Sequence, residues 1–203
     1  MIPMTVLRRL TLLVALAALL AGCYMPTDFQ ADLRIKPDGN YNFRYQGQLI
    51  HVPLLEKLQS ERLSQEEESR RVTAIERDLA RDAGFKEIAY VDRGTFRVRY
   101  ERVGNILQQR TYYFVRQNAR VLAIERHKDG TIRIYGDKPN TQNGEQLEDR
   151  GIVMRGRFRV QTEGQVTRHN ADSVRDGPAA IYIWQVDGFA KPSPSMIIAR
   201  PGG

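Results

Sequence analysis

The segment Thr95 to Val103 (TFRVRYERV) alternates without a break. Phe96, Val98 and Tyr100 fall in one phase; Arg97, Arg99 and Glu101 fall in the other. Side chains of a β-strand leave opposite faces with period two, so this pattern suits a strand with one dry face and one wet face. A helix would scatter the same apolar residues around its circumference. The pattern recurs along the chain. Leu33 and Ile35 alternate with Arg34 and Lys36, Tyr41, Phe43 and Tyr45 with Asn42 and Arg44, and Phe158 and Val160 with Arg157 and Arg159. A chain patterned this way buries its apolar phases by folding into sheets that share a core.

Turn residues separate these runs. Pro37-Asp38-Gly39 joins 29–36 to 40–47, Asp92-Arg93-Gly94 joins 85–91 to 95–103, and Lys128-Asp129-Gly130 joins 119–127 to 131–136. Further strands are expected at 110–116, 152–162, 180–186 and 195–199. The stretch AIYIWQV at 180–186 is apolar enough for a central strand. The segments DGNYNFRY at 38–45 and DGTIRIY at 129–135 echo each other, as two hairpins with one turn chemistry would.

Pro53 opens a helical stretch with Leu54, Leu55 and Leu58 on one face. Ser64-x-x-Glu67 has the form of a capping box for a second helix over 65–83, with Val72, Ile75 and Leu79 inward and Gly84 placed to end it. The run Gln65 to Arg71 reads as the solvated face of that helix, with a partner-binding face as the alternative. Residues 137–149 read as a long polar loop. The expected fold is therefore α+β. It is a mainly antiparallel sheet or sandwich of about eight to ten strands, with a helical insertion at about 53–83.

The N-terminus follows a different logic. Arg8 and Arg9 precede the apolar run Leu10 to Leu20, which small residues close at Ala21 and Gly22. The run is too short to cross a bilayer as a helix, which takes about 20 residues, and it has the three parts of a secretion signal. Leu20-Ala21-Gly22-Cys23 resembles the lipobox of bacterial lipoproteins. The resemblance implies cleavage before Cys23, diacylglycerol on its sulfur and a fatty acyl group such as palmitate on its new amino group. It also implies a membrane-anchored protein of the cell envelope. Tyr24 stands where an Asp would mark retention at the inner membrane. The resemblance thus implies the outer membrane of a Gram-negative cell, facing the periplasm. The expected organisation is a cleaved signal over 1–22, lipidated Cys23 with a tether to residue 28 that spans at most ~18 Å, and one β-rich domain over 29–203.

Removing the signal takes away Arg8 and Arg9 and no acid, so the formal charge falls from +7 to +5. Nucleic acid is not an expected partner of an exported chain. Anionic lipid headgroups, an envelope polymer or an unidentified protein are. Cys23 is the sole cysteine, so no disulfide can form and no thiol remains for catalysis or metal binding. The core alone must hold the fold.

Searching for chemistry yields little. His51, His127 and His169 share no metal-ligand spacing, and each reads as an ordinary structural or loop histidine. There is no G-x-S-x-G, no S-x-x-K and no glycine-rich phosphate loop. Glu66, Glu67 and Glu68 point in different directions from one helix. No cofactor, metal or catalytic residue is expected, and an envelope hydrolase is the third reading.

The arginines are the most distinctive feature. Arg34, Arg44, Arg97, Arg99, Arg133, Arg157 and Arg159 all fall on the outward phase of expected strands. Polar residues occupy that phase in any one-faced sheet, and basic side chains guard strand edges. The functional alternative is one basic surface that meets phosphate or carboxylate groups, which requires the seven to be contiguous. Tyr182 and Trp184 share a strand face and read as core, with a ligand-lined pocket as the alternative.

The stretch RFRVQTEGQVTRHNA…AIYIWQV, within Gly156 to Val186, runs strand, Glu163-Gly164 turn, strand, Asn170, gap, and strand with Trp184. It resembles the LppM-like domain of bacterial envelope lipoproteins. The N-terminal order of cysteine, strand, Asp-Gly hairpin and helix is similar to it as well. Thr162-Glu163-Gly164 departs from the apolar-Pro-Gly turn of that pattern. The resemblance implies an α+β envelope domain with an apolar pocket or lipid-binding surface and no catalytic residues. The functional expectation is a non-catalytic envelope binding or structural module. The alternative is a lipid-binding or lipid-transfer module with an apolar pocket between sheet and helix.

Overall fold

The computed structural model describes residues 24–61, 63–117, 119–137 and 141–200. The signal and Cys23 lie outside the described residues. Twelve strands and four helices are formed among those described. The strands are β1 (Tyr24–Ile35), β2 (Asn40–His51), β3 (Phe85–Asp92), β4 (Thr95–Asn105), β5 (Thr111–Arg116), β6 (Ala119–Arg126), β7 (Ile132–Tyr135), β8 (Arg155–Thr162), β9 (Val166–His169), β10 (Ser173–Arg175), β11 (Ala180–Asp187) and β12 (Ser195–Ile198). The helices are α1 (Val52–Ser60), α2 (Gln65–Leu79), α3 (Ile106–Gln109) and α4 (Thr141–Asp149). No helix among the described residues is long and apolar enough to cross a membrane.

The strands form two sheets. One has seven strands in the order β10-β11-β8-β1-β2-β4-β3, and the other has five in the order β5-β6-β7-β12-β9. They face each other across an aromatic core, an α+β sandwich with more strands than expected. Pairing is antiparallel apart from β1 and β8, which run parallel from Phe29↔Gly156 to Ile35↔Thr162. Parallel neighbours need a long crossover, and here β2 to β7 and all four helices intervene.

Four expectations are corrected. The tether proposed for 24–28 is paired strand: β1 starts at Tyr24, opposite His51. Residues 141–149 are helical rather than loop. Strand β9 forms where the resemblance places a strand before Asn170, but β10 occupies part of what reads as a gap. The second helix ends at Leu79, with Ala80 as its C-cap in right-handed conformation. Gly84 has a different reason to be glycine, since a Cβ there would stand 2.4 Å from the Tyr100 ring.

Expected turns form as their residues dictate. Asp38 Oδ1 accepts from Asn40 N and Asp129 Oδ1 from Thr131 N, each with the following glycine at positive φ. Ser64 Oγ accepts from Glu67 N at 3.2 Å, the first half of the capping box. Strand β1 bulges at Asp28 (φ 45°), and both strands flanking the bulge place glycine there. A Cβ on Gly47 would lie 2.6 Å from Phe29 Cα, and one on Gly156 2.5 Å from Phe29 O.

The two sheets are keyed by one ring. Phe114 of β5 packs on Tyr100 (4.7 Å), Tyr45 (4.9 Å), Phe43 (5.2 Å) and Phe85 (6.1 Å) of the larger sheet. The Tyr112 hydroxyl donates to that of Tyr100, which donates to Asp82. At the other side, Asn170 ties the sheets together. Its Oδ1 accepts from Trp184 Nε1 of β11 and from Ser195 N of β12, both at 2.8 Å.

Replacing Phe114 with Ala is expected to destabilise the fold by about 3–5 kcal/mol, read from urea denaturation. Asn170→Ala leaves the indole N–H of the sole tryptophan unpaired, a cost of about 1–3 kcal/mol. Red-shifted Trp184 emission in the folded state is the signature. An unshifted spectrum would show that Asn170 is not the partner.

Candidate functional site

The outer face of the larger sheet is the polar phase of each strand laid side by side. On β8 it shows Arg155, Arg157, Arg159 and Gln161; on β1 Asp28, Gln30, Asp32 and Arg34; on β2 Asn42, Arg44, Gln46 and Gln48; on β4 Arg97, Arg99, Glu101 and Val103. Fifteen of these sixteen positions end in a planar hydrogen-bonding head: guanidinium, amide or carboxylate. Lysine, serine and threonine are absent from them. Seven arginines stand against three acids, so the face is net positive.

Six of the seven arginines singled out from the sequence meet here: Arg34, Arg44, Arg97, Arg99, Arg157 and Arg159. Arg155 joins them. Arg133 does not, because β7 belongs to the other sheet, where its guanidinium lies 4.5 Å over the Tyr135 ring. The registry that gathers the six was not legible from spacing. Arg34 and Arg159 stand far apart in the chain and meet only through the parallel β1–β8 pairing.

Most of the cations are held by acids on the same face. Arg155 pairs with Asp28 and Arg44 with Glu101, both at 3.0 Å, and Arg159 pairs with Asp32. Arg97 and Arg99 lie 3.5 and 3.9 Å from Glu87 of β3. Hydrogen bonding from Arg44, and then its charge, hold the Glu101 carboxyl below the usual range. These pairs are well exposed, so each contributes little to stability. Their main effect is to fix the heads in position. Among the described residues Arg34 and Arg157 contact only amides: Arg34 Nε donates to Gln161 Oε1 at 3.1 Å, and Arg157 Nη2 to Gln30 Oε1 at 3.5 Å.

The face is not flat. A depression of about 300 Å³ is lined by Asp32, Arg34, Asn42, Arg44, Arg159 and Gln161, with Ile181 at its side. A second, of about 310 Å³, lies between Asp28, Gln30, Gln46, Glu87, Arg97 and Arg99. A third and more open one, of about 540 Å³, reaches from Arg34 and Asn42 past Val103 to Asn105 and Gln108.

Two further spaces lie away from this face. Between the sheets, Phe29, Phe43, Leu122, Met154 and Phe158 leave about 50 Å³, well short of the 300 Å³ or more of usual small-molecule sites. A cleft of about 490 Å³ separates α1 from α2, lined by Leu54, Ala74 and Ile75 together with Glu56, Lys57, Glu61 and Arg71. His51 lines this cleft and packs its ring edge-on against Tyr24 at 5.1 Å. The exposed Val91, Val103 and Val174 belong to three different strands.

Histidines serve the backbone. His51 Nδ1 accepts from Leu54 N and caps α1. His169 Nδ1 accepts from Ala171 N, and its ring packs on Tyr182. His127 sits in the turn closed by its bond to Thr131. Trp184 stacks on Phe158 within the core. Glu67 pairs with Arg71, and Glu68 accepts from Tyr90. No cluster of three or more potential metal ligands exists among the described residues.

No family model matches the sequence, and no curated protein does. Among solved structures, the chain is similar to the folded domain of LppM from Mycobacterium tuberculosis. That NMR structure is 10% identical to it, with 87% of this chain and 92% of that one covered and a TM-score of 0.43. At this distance the likeness assigns no ligand and no residue role.

Burial lowers the pKa of His51 from its ordinary 6.5, with nearby Asp78 opposing. The unfolded chain therefore binds that proton more readily. The stability His51 contributes is complete above about pH 6.5 and is lost as the pH falls below it. His51→Asn keeps a capping acceptor but cannot titrate. Its urea midpoint is expected to fall less than that of the parent between about pH 7 and pH 5. Equal falls would exclude His51 as the titrating group.

Proposed function

We propose that this chain is a non-catalytic envelope lipoprotein, anchored through Cys23, that holds an anionic envelope glycan on the outer face of its seven-stranded sheet. One observation carries the reading: across four adjacent strands, fifteen outward side chains end in planar polar heads with an excess of guanidinium. Guanidinium pairs in-plane with carboxylate or phosphate through two parallel bonds. Amides both donate and accept, as a sugar's hydroxyls do. The in-face ion pairs preorganise those heads, which lowers the ordering cost of binding an extended polymer.

The start of β1 favours a polymer over lipid headgroups. Tyr24 is already paired to His51, so a Cys23 anchor would act on the first residue of the ladder, and on this reading the arginine face meets the envelope rather than the headgroups. Arg34 stands up to ~33 Å along β1 from Tyr24, beyond the ~8 Å screening length of a charged surface.

The cleft between α1 and α2 favours a second reading, a site for an apolar ligand near the anchored end. Displacement of an environment-sensitive apolar dye by Leu54→Trp would support it. Dye binding unchanged by that substitution would oppose it.

The first reading is tested with the full-length protein in neutral detergent. It is expected to be retained on immobilised polygalacturonate and not on neutral dextran. Retention should weaken as ionic strength rises from about 0.01 to about 0.15 M. Charge reversal at Arg97 and Arg99 together should lower affinity about tenfold or more, a change of ~1.4 kcal/mol. Charge reversal at Arg133, on the other sheet, should leave it unchanged. Equal retention on dextran, or equal loss from Arg133→Glu, overturns the proposal.

A further inference from the structure

The rows that cross the larger sheet differ in charge. In one, Arg159, Asp32, Arg44 and Glu101 follow each other on adjacent strands with alternating sign. In the next row outward, the register places Ile181, Gln161, Arg34, Asn42 and Val103 on β11, β8, β1, β2 and β4. This row is symmetrical in kind: an apolar side chain at each end, an amide inside each, and one arginine at the centre. It holds no acid. At the ~4.8 Å spacing of strands it is ~19 Å long.

We infer that this row is the specificity subsite of the face and that it reads a carboxylated sugar of the bound glycan. The inference rests on the glycan-binding reading and narrows it to one ligand group and one residue. Arg34 is the selecting cation because its charge is uncommitted: its Nε is used by Gln161, and no ion pair forms at its Nη groups among the described residues. Arg44 and Arg159, which line the same depression, are already held by Glu101 and Asp32. Arg34 also lines the depressions on both sides of it, whereas Arg157, the other arginine paired only to an amide, lines neither of them.

The chemistry follows from the heads. The two Nη groups of Arg34 present a planar fork to two coplanar oxygens, which a carboxylate supplies. The side-chain amides of Asn42 and Gln161 flank that position, and each can exchange hydrogen bonds with a hydroxyl or acetamido group. Val103 is 68% exposed, and Ile181 borders the depression on the other side. Both offer apolar contact to the C–H face of a sugar ring. The carboxylate of Asp32 also faces this depression, but Arg159 holds it.

The test measures affinity of the full-length protein in neutral detergent for short polygalacturonate oligomers and for their methyl esters. The parent protein is expected to prefer the acid. Arg34→Gln and Arg34→Lys should each lower affinity for the acid about tenfold and abolish the preference over the ester, because lysine keeps the charge but loses the fork. Arg157→Gln should change affinity less than about twofold. Unshifted Trp184 emission checks that each variant is folded. Full affinity in Arg34→Lys, or an equal loss in Arg157→Gln, overturns the subsite and leaves the broader face reading intact. A parent protein that binds neither acid nor ester removes both.

Discussion

The ring of Phe114 stands in the gap between the two sheets and touches four aromatic rings of the larger one. Each sheet has one apolar face, and neither can lose contact with water unless the other covers it. With no second cysteine to cross-link the layers, aromatic packing must set their separation and angle. The tyrosines around Phe114 extend the contact with polar tips. Tyr112 donates to Tyr100, and Tyr100 to Asp82, so the hydroxyls carried into the core keep partners there. Close packing then decides where a ligand can go. Between the sheets only about 50 Å³ remains, and the larger depressions lie on the outer surfaces.

The outer face of the larger sheet answers a related constraint. Arginines on adjacent strands repel one another, and a sheet cannot move them apart once its register is set. Here acids of the same face stand between them: Asp28 and Asp32 on β1, Glu101 on β4 and Glu87 on β3. The pairs make the register electrostatically self-consistent and hold long side chains upright. Arg34 and Arg157 are left with amide partners, and the surface keeps an excess of positive charge.

Alternation and turn chemistry made much of the fold legible. The hairpins at Pro37-Asp38-Gly39, Asp92-Arg93-Gly94 and Lys128-Asp129-Gly130 form where their residues place them, and helices start at Val52 and Gln65 near Pro53 and Ser64. What alternation does not encode is which strand lies beside which. A period-two pattern is identical for parallel and antiparallel neighbours, so the β1–β8 pairing was invisible. Helix α4 was hidden because its sequence, TQNGEQLED, is polar and contains glycine, and it is fixed by tertiary contact: Leu147 packs on the cluster around Ile152 and Phe189. The short β10 carries no buried residue and so no pattern. For the site, the residue types were readable from the sequence but their convergence was not. Arg155 escaped notice at the start of its strand, and Arg133 was grouped with residues that lie on the other sheet.

The position of β1 has a mechanical consequence. It is an interior strand, bonded to β2 from Tyr24 on one side and to β8 from Phe29 to Ile35 on the other. A pull on the N-terminus directed along the strand loads both ladders in shear. Their hydrogen bonds must then fail together rather than peel one at a time, and the unfolding rate sets the resistance to such a force. Any tension transmitted through the residue before Tyr24 would enter the molecule at a strand seamed on both sides.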